Sequence, residues 1–488
     1  MDTHALVARK AHWFIALICS VILAGAPRVA ASEERSDVQV AQTSPAPLVV
    51  AQASTAQAPP VDELVQSPAK GGITPNSNIP EQDAKKRYYT IPNFRLGGKY
   101  DLDANPETWR DGGQGGTTLE SLGSGPLQVA YIAVGTPKRN DKGEIVNAII
   151  ISTFYSGDST WMYNTWYEGQ PANAFSGGAI VGPGRVIDTN KHYVVFLDAI
   201  GLWGASKPSH GLGRKFPQYS YMDMVVANYR LLHDHLHVGH VDVATGVSMG
   251  ATQTWVWGVM YSPSGYVSAI MPIGGTTASD SDDPVGQWTF RLAQAAIESD
   301  PNWRATNGNY YDLPKEKHPN QGMQFMWSTL QLTGYTFPVR SATPWKTLQK
   351  EVFYWKPEGD ETATYIARVK NEDAVDYWYR NNAGFNYNLN SELKRIKART
   401  LVVHVRNDQW LMVENARKAA AAVPGAYFAT LADPGAHYGV FRAPNVLKDT
   451  IGAFIEDRFT TSLPGVEGAG IAGGGGGEAP AKPAGLAK

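Results

Sequence analysis

The sequence predicts an α/β fold: a mostly parallel central sheet with helices on both faces and an inserted helical lid. Two observations predict it. Short apolar runs rich in β-branched residues alternate with helical patterns, which is typical of parallel strands joined by crossover helices. This alternation is absent from residues 276–398, which are polar and aromatic and contain short helical patterns. We therefore expect an aromatic-rich helical lid at 276–398, inserted over one edge of the sheet.

The predicted strands are short runs dominated by apolar residues and separated by helical patterns. They are Leu127–Val134, Asn147–Ser152, Tyr193–Asp198, Val241–Thr245, Ala269–Pro272, Leu401–Val405 and Tyr427–Leu431. Helices are predicted at Tyr221–His235, Ser248–Tyr261, Val413–Ala422 and Asn445–Arg458. Because helices lie between most of these strands, the pattern favours parallel pairing over hairpins.

The N-terminus has the pattern of a secretory signal peptide. Arg9 and Lys10 precede a 14-residue apolar run at 13–26, and small residues occupy the −3 and −1 sites of a cut after Ala31. The alternatives, a buried helix or an uncleaved anchor, are disfavoured because a membrane span needs about 20 apolar residues. We therefore expect cleavage after Ala31, a secreted or periplasmic protein, and no stable membrane insertion afterwards.

Two low-complexity segments flank the predicted folded unit. Residues 32–85 are rich in Ala, Gln, Pro and Ser, and residues 463–488 are rich in Gly, Ala and Pro. Such compositions bury too little apolar surface to offset the entropy of ordering, so both segments are predicted to be disordered. The sheet and its helices are assigned to 86–275 and 399–462, on either side of the lid.

Charge and cysteine content exclude several classes of function. The chain has 43 Lys and Arg against 45 Asp and Glu, so it lacks the basic field that nucleic-acid binding needs. The only cysteine, Cys19, lies in the signal run, which removes disulfides, thiolate catalysis and Cys-ligated metals from the mature protein. His233 and His237 could hold a metal at i, i+4 spacing, but no carboxylate completes the pattern and a helix surface is favoured. No metal and no cofactor are predicted.

The segment around Ser248 matches the pattern G-x-S-x-G, from Gly246 to Gly250. The run VDVATG before it predicts a strand, and MGATQTWVWGVMY after it predicts a helix. A serine nucleophile needs this sharp strand–turn–helix connection, because it projects the hydroxyl above the sheet and points helix N-terminal N–H groups toward it. The alternative, an N-cap serine in a glycine-rich turn, is disfavoured by this context.

A serine hydroxyl needs a base, and in this strand–helix order an acid and a histidine follow the nucleophile. Asp408 comes just after the strand LVVHV, and His437 follows the strand YFATL. Both lie at the C-terminal ends of strands, where such a sheet presents its site. Asp433 is the alternative acid, although it lies only four residues before His437. His404 lies within an apolar strand and is assigned to the core.

The developing oxyanion of acyl transfer needs two N–H donors. Met249, directly after the nucleophile, is predicted to supply one, and the loop after the strand NAIIIS to supply the other. In that loop the N–H of Tyr155 is the preferred donor and Phe154 is the alternative. An ordinary glycine turn is the competing interpretation of the loop, because the loop contains Gly157.

Four sequence blocks carry a resemblance to a known group of enzymes. In order along the chain they are NKHYVVFLDAIGLWGASKPS, FPQYSYMDMVVANYRLL, GVSMGATQTW and RLAQAAIESDPNW. They resemble, in the same order, the glycine loop, helix entry, nucleophile elbow and lid start of the homoserine O-acetyltransferase group of the α/β-hydrolase superfamily. This resemblance, which runs across about 125–455, implies an α/β-hydrolase fold, a helical lid, and Ser248, Asp408 and His437 as a catalytic triad.

Three departures from that group change the predicted reaction. The elbow continues with Ala251 and Thr252 where the group has G-M, and Tyr438 replaces the Asp that usually follows the histidine. The segment 333–337 also lacks the lid arginine that holds the amino-acid substrate in the group. Export separates the protein from cytoplasmic acetyl-CoA as well. We therefore predict a hydrolase of a small-molecule ester or amide; an acyltransferase is the alternative, and substrate-binding residues stay unassigned.

Overall fold

The computed structural model describes residues 85–169, 177–202, 204–345, 372–385 and 387–467. The predicted signal peptide, nearly all of the predicted tether and residues 468–488 of the predicted tail lie outside this part of the chain. So does the lid segment 346–371. None of the helices in the described part has the length and hydropathy that a membrane span needs.

The central sheet of the described chain has eight strands. They are β1 Arg87–Ile91, β2 Leu127–Gly135, β3 Ala148–Ser152, β4 Tyr193–Leu197, β5 Val241–Val247, β6 Ala269–Ile273, β7 Arg399–Val405 and β8 Tyr427–Leu431. Their spatial order is β1-β2-β4-β3-β5-β6-β7-β8. The pairs β1/β2 and β2/β4 are antiparallel, and every later pair is parallel. The predicted mostly parallel sheet is confirmed.

Helices cover both faces of this sheet. In the described chain they are α1 Ser159–Trp166, α2 Tyr221–Arg230, α3 Met249–Tyr261, α4 Pro284–Ser299, α5 Pro301–Thr306, α6 Asn320–Gly334, α7 Phe337–Ala342, α8 Ala374–Phe385, α9 Val413–Ala422, α10 Ala443–Val446 and α11 Lys448–Ile455. Helices α2, α3 and α9 pack into one core, whereas α1 and α11 pack into the other. Helices α4 to α8 all lie between β6 and β7, and α4 packs against α6 and α8.

Strand β3 shows why the central runs are apolar throughout. All five of its residues are buried. Ile150 belongs to the core on one face of the sheet, and Ile149 and Ile151 belong to the core on the other face. Successive side chains of a strand point to opposite faces, so a strand covered on both sides needs apolar residues at every position.

The structure corrects several predicted elements. The edge strand β1 was not predicted, because only Ile91 of its five residues is buried and an edge strand shows little alternation. Asp198 lies outside β4, and β5 continues to Val247, which pairs with Ile273. The predicted helix over 445–458 is two helices, α10 and α11, which meet at Leu447.

Candidate active site

Ser248 occupies a strained turn between β5 and α3. Its backbone has φ 55° and ψ −122°, a conformation that residues with side chains rarely adopt. A Cβ on Gly250 would lie 2.2 Å from the carbonyl oxygen of Ser152, and one on Gly246 would lie 2.7 Å from the same atom. Only glycine allows this close approach to the end of β3, which explains both glycines of the motif. The Ser248 N–H donates to the Ile273 carbonyl at 3.0 Å and holds the turn against β6.

Three polar side chains from separate strand ends form one hydrogen-bonded chain. Ser248 Oγ lies 2.9 Å from His437 Nε2, although the two residues are 189 positions apart. His437 Nδ1 lies 2.7 Å from Asp408 Oδ2. Ser248 is 9% exposed, and Asp408 and His437 are 3% and 2% exposed. The structure thus brings together all three residues of the predicted triad.

Asp408 is held as a carboxylate. Burial raises the pKa of the Asp408 carboxyl, but the charge and hydrogen bond of His437 and the Trp410 N–H outweigh it, so the pKa falls below its usual value. Asp408 Oδ1 accepts from the N–H groups of Trp410 at 2.8 Å and Leu411 at 3.0 Å. An ionised Asp408 keeps the proton of His437 on Nδ1, which leaves Nε2 free to accept the hydroxyl proton of Ser248.

The rival acid and the rival histidine have other partners. Asp433 is bound by Arg442, whose Nε donates at 2.8 Å, and it also accepts from the Gly435 N–H at 2.7 Å. His404 is 1% exposed within β7, and burial lowers the pKa of its ring. Neither residue is hydrogen-bonded to Ser248 or His437 in the described chain. Among the candidates, Asp408 alone is hydrogen-bonded to His437 there.

The predicted oxyanion loop lies against the nucleophile turn. Gln253 of α3 donates from Nε2 to the Thr153 carbonyl at 3.0 Å, which ties the loop to the helix that follows Ser248. In the described part of the chain the N–H groups of Met249, Phe154 and Tyr155 donate to no protein acceptor. All three remain available to an oxyanion, so the choice between Tyr155 and Phe154 stays open.

The side chain of Tyr155 links this loop to the lid. Its hydroxyl donates to Asn381 Oδ1 of α8 at 2.7 Å, and the residue is 5% exposed. Its ring packs beside the rings of Tyr377 and Trp327, with centroids 5.5 and 6.4 Å away. Burial raises the pKa of the Tyr155 hydroxyl, which therefore stays protonated. The side chain anchors the loop, while its N–H remains the candidate donor.

A buried ion network, which the sequence analysis missed, supports the same loop. Lys86 Nζ lies 2.7 Å from Asp158 Oδ2 and 3.0 Å from Asp198 Oδ2, with no side chain of the three more than 2% exposed. Asp158 caps α1 by accepting from the Trp161 N–H at 2.8 Å, and Asp198 accepts from the Ser159 N–H. Lys86 lies in a run of three basic residues at 85–87, where no sequence signal distinguishes the buried one.

We expect Lys86→Met to lower the free energy of unfolding by about 3–5 kcal/mol, because it leaves two buried carboxylates without their cation. Urea unfolding followed by circular dichroism would measure the loss. Lys85→Met is the matched control: its side chain is 49% exposed in its pair with Glu168, and such surface pairs contribute at most about 1 kcal/mol. Equal losses in the two variants would contradict the prediction.

The histidines near 233–240 have separate partners. His233 Nδ1 lies 2.9 Å from Asp234 Oδ1, and His240 Nε2 lies 2.9 Å from the Ser268 hydroxyl. His235 Nε2 lies 3.1 Å from the Tyr131 hydroxyl. Within the residues that the structure describes, no group of three or more His, Cys, Asp or Glu side chains is placed to hold a metal ion.

Comparison with known proteins finds esterases and homoserine O-acetyltransferases among the relatives of this chain. No family model matches the chain. A probable esterase of Corynebacterium glutamicum is 24% identical over 323 residues, which cover 64% of this chain and 84% of that protein. The homoserine O-acetyltransferase of Rhodospirillum rubrum is 29% identical over 292 residues, covering 56% of this chain and 70% of that enzyme.

Solved structures show the same fold. An acetylester hydrolase from Corynebacterium glutamicum superposes with a TM-score of 0.56 at 20% identity, over 76% of this chain and 96% of that one. The homoserine O-acetyltransferase of Bacillus anthracis gives a TM-score of 0.57 at 16% identity, over 76% and 97%. The chain has the α/β-hydrolase fold, and its relatives include esterases and homoserine O-acetyltransferases. The resemblance that the sequence motifs carry is thereby confirmed.

Tyr438, which directly follows His437, contacts the lid. The hydroxyl of Tyr438 donates to Gln331 Oε1 of α6 at 2.5 Å. A Cβ on Gly334 would lie 2.4 Å from the Tyr438 ring, so glycine is required where the ring meets the helix. Tyr438 thus joins the turn that carries His437 to the lid, at the position where the resembled acetyltransferases have an acidic residue.

The lid also supplies a buried cation that none of the sequence motifs indicates. Segment 333–337 contains no arginine, but Arg380 of α8 is 1% exposed and its Nη1 lies 3.2 Å from the Met249 sulfur. Arg380 stands in the run WYRNN, which matches none of the four motif blocks. Only the packing of α8 over the nucleophile turn identifies it.

Proposed function

We propose that this protein is a serine hydrolase that cleaves a carboxylic ester or amide through an acyl-enzyme. The observation that carries the proposal is the hydrogen-bonded chain from Ser248 through His437 to Asp408. Its similarity to a probable esterase and to acetyltransferases supports the proposal, because both kinds of enzyme transfer an acyl group. Met249, the first candidate oxyanion donor, directly follows Ser248, and the loop that carries the second is tied to helix α3 through Gln253.

In the first half-reaction, Ser248 Oγ attacks the substrate carbonyl carbon while His437 Nε2 takes the hydroxyl proton. The oxyanion that forms accepts from the Met249 N–H and from Tyr155 or Phe154. Collapse of this intermediate breaks the bond to the leaving group, which takes its proton from His437. The products are an alcohol or amine and an acyl ester of Ser248.

In the second half-reaction, neutral His437 takes a proton from water, and the hydroxide attacks the acyl carbonyl. The same N–H groups hold the second oxyanion. Its collapse releases the carboxylic acid and returns a proton to Ser248. Asp408 stays ionised throughout and stabilises the imidazolium that forms in each half-reaction.

The acyl acceptor distinguishes hydrolysis from the alternative, transfer to an alcohol as in the homoserine O-acetyltransferases. Two observations favour water. Tyr438 replaces an acidic residue and is engaged with Gln331. The lid segment 333–337 lacks the arginine with which the resembled acetyltransferases hold their amino-acid substrate.

The proposed reaction is tested by incubating the purified chain with ester and amide panels, with and without homoserine or other alcohols. We expect acid release at an unchanged total rate when the acceptor is added, because water is the acceptor. Quantitative formation of a new ester in place of the acid would show that the protein is an acyltransferase. Labelling by a fluorophosphonate distinguishes both enzymes from a binding protein, which would stay unlabelled.

We propose in addition that the protein is exported. The charged, apolar and small-residue pattern of residues 9–31 supports this. N-terminal sequencing of the protein recovered from its native host is expected to begin at Ser32, in the periplasmic or culture fraction. A full-length chain with Met1 intact in the cytosol would contradict the proposal.

A further inference from the structure

Arg380 is a buried cation without a counterion in the described part of the chain. Its Nη2 donates to the Ile200 carbonyl at 3.0 Å, and its Nη1 contacts the Met249 sulfur at 3.2 Å. Its Nε has no hydrogen-bond partner, although the residue is 1% exposed. The acid one turn earlier, Asp376, accepts from the Ser209 N–H at 2.8 Å and hydroxyl at 2.7 Å, and lies 3.9 Å from Lys207.

The groups around Arg380 leave its charge unbalanced. Asn381 Nδ2 is buried beside it without a hydrogen-bond partner in the described residues, and the Tyr219 hydroxyl, which can accept, lies within reach of the guanidinium. A Cβ on Gly201 would lie 1.9 Å from that hydroxyl, so the loop after β4 closes directly on this cluster. A tyrosine hydroxyl is neutral at neutral pH, whereas the guanidinium is always charged. The missing partner is therefore a group that carries negative charge.

An unpaired buried charge destabilises the fold by several kcal/mol. We therefore expect a bound ligand to supply the missing negative charge. The Met249 sulfur is a weak acceptor, whereas a carboxylate binds a guanidinium through two charge-assisted hydrogen bonds. Replacing the thioether by a ligand carboxylate would therefore satisfy Arg380. Met249 also carries the first candidate oxyanion N–H, so this carboxylate would lie near the reacting carbonyl.

Arg380 lies next to the nucleophile turn although it is buried. Ser248 is 9% exposed and Met249 5% exposed, so the nucleophile and its neighbour are also enclosed. The contact between Arg380 Nη1 and the Met249 sulfur places the guanidinium beside the residue that directly follows the nucleophile.

We propose that Arg380 is a specificity-determining residue that binds a carboxylate on the substrate. The substrate class is then a short ester whose acyl or alcohol part bears a carboxylate a few bonds from the scissile carbonyl. This inference rests on the proposed hydrolase function. The cation comes from α8, which distinguishes it from the arginine that segment 333–337 lacks.

Two pairs of esters of matched size test the proposal and locate the carboxylate. Monoethyl glutarate against ethyl pentanoate places the charge in the acyl part, and 4-acetoxybutanoate against butyl acetate places it in the alcohol part. We expect the wild-type protein to prefer the charged member of one pair. Arg380→Met is expected to lower kcat/KM for that member by about 10- to 100-fold, the loss of one or two hydrogen bonds to a charged group, and to leave the neutral ester within about threefold.

Stability provides the second readout. Arg380→Met is expected to keep or raise the urea midpoint, because an apolar residue replaces an unpaired buried charge. Arg291→Met is the matched control, since Arg291 lies over the Phe385 ring on the lid with its cation 4.2 Å from the ring centre; we expect its ester preference to be unchanged.

Different results would contradict the carboxylate subsite and the proposed hydrolase function. Turnover of neutral and charged esters at equal rates, or equal losses for both in Arg380→Met together with a lower urea midpoint, would overturn the carboxylate subsite and assign Arg380 to the packing of the lid. Absence of any turnover that depends on Ser248 would instead overturn the proposed hydrolase function.

Discussion

We expect Ser248→Ala to lower kcat for ester hydrolysis by about 10⁶-fold, the loss seen when a triad serine is removed from a serine hydrolase. The reason is that no other hydroxyl lies within hydrogen-bond distance of His437 Nε2 in the described chain. Without Oγ, the acyl group has no protein atom to which it can be transferred. The residual rate would come from the oxyanion donors acting on a water molecule, which alone retain a small part of the catalysis.

Active-site titration and fluorophosphonate labelling check this result, because both report the covalent intermediate directly. Ser264→Ala is the control: its hydroxyl donates to the Tyr261 carbonyl at 2.9 Å, just after the same helix α3, and it should keep full activity and labelling. Full activity in Ser248→Ala, combined with loss of activity in a metal chelator, would replace the covalent mechanism with a metal-dependent one.

The second large effect is expected in Asp408→Asn, which should lower kcat by about 10⁴-fold while the protein stays folded. An asparagine would offer its amide N–H groups or a neutral oxygen to His437 Nδ1. The ring then loses its preference for the tautomer with a free Nε2, and the imidazolium loses its stabilising charge. The N–H groups of Trp410 and Leu411 can still donate to the amide oxygen, so the local turn is retained.

Stopped-flow measurement of the acylation rate, with circular dichroism as the fold check, tests this variant. Asp433→Asn is the matched control, since Asp433 is the other carboxylate near His437 but pairs with Arg442. We expect Asp433→Asn to keep the wild-type kcat with some loss of stability. A reversed pattern, with a folded and active Asp408→Asn and an inactive Asp433→Asn, would move the acid to Asp433.

The nucleophile turn was predictable because its requirements are local. A strand, two glycines and a helix must follow one another within a few residues, and a Cβ on Gly246 would meet the Gly250 carbonyl oxygen of the same turn at 2.7 Å. Asp408 and His437 were predictable for a related reason. Side chains just after parallel strands collect at one edge of the sheet, and chain order in this fold selects among them.

The sequence predicted that a lid exists, but it did not predict which lid residues contact the site. Helices α4 to α8 follow no pattern that specifies which residues face Ser248, because their packing is decided by contacts with distant elements. The pairings of Tyr155 with Asn381, of Tyr438 with Gln331 and of Arg380 with Met249 join residues more than 100 positions apart. No local sequence feature predicts such contacts.

The sequence by itself therefore determined seven of the eight strands, the elbow at Ser248 and the order of the catalytic candidates, since each depends on short-range periodicity and turn geometry. Tertiary structure alone decided that Lys86 lies buried between Asp158 and Asp198, and that Arg380 lies buried without a counterion. The reason is physical: the free energy of a charged side chain depends on the groups that enclose it, and in a folded chain those groups come from remote positions.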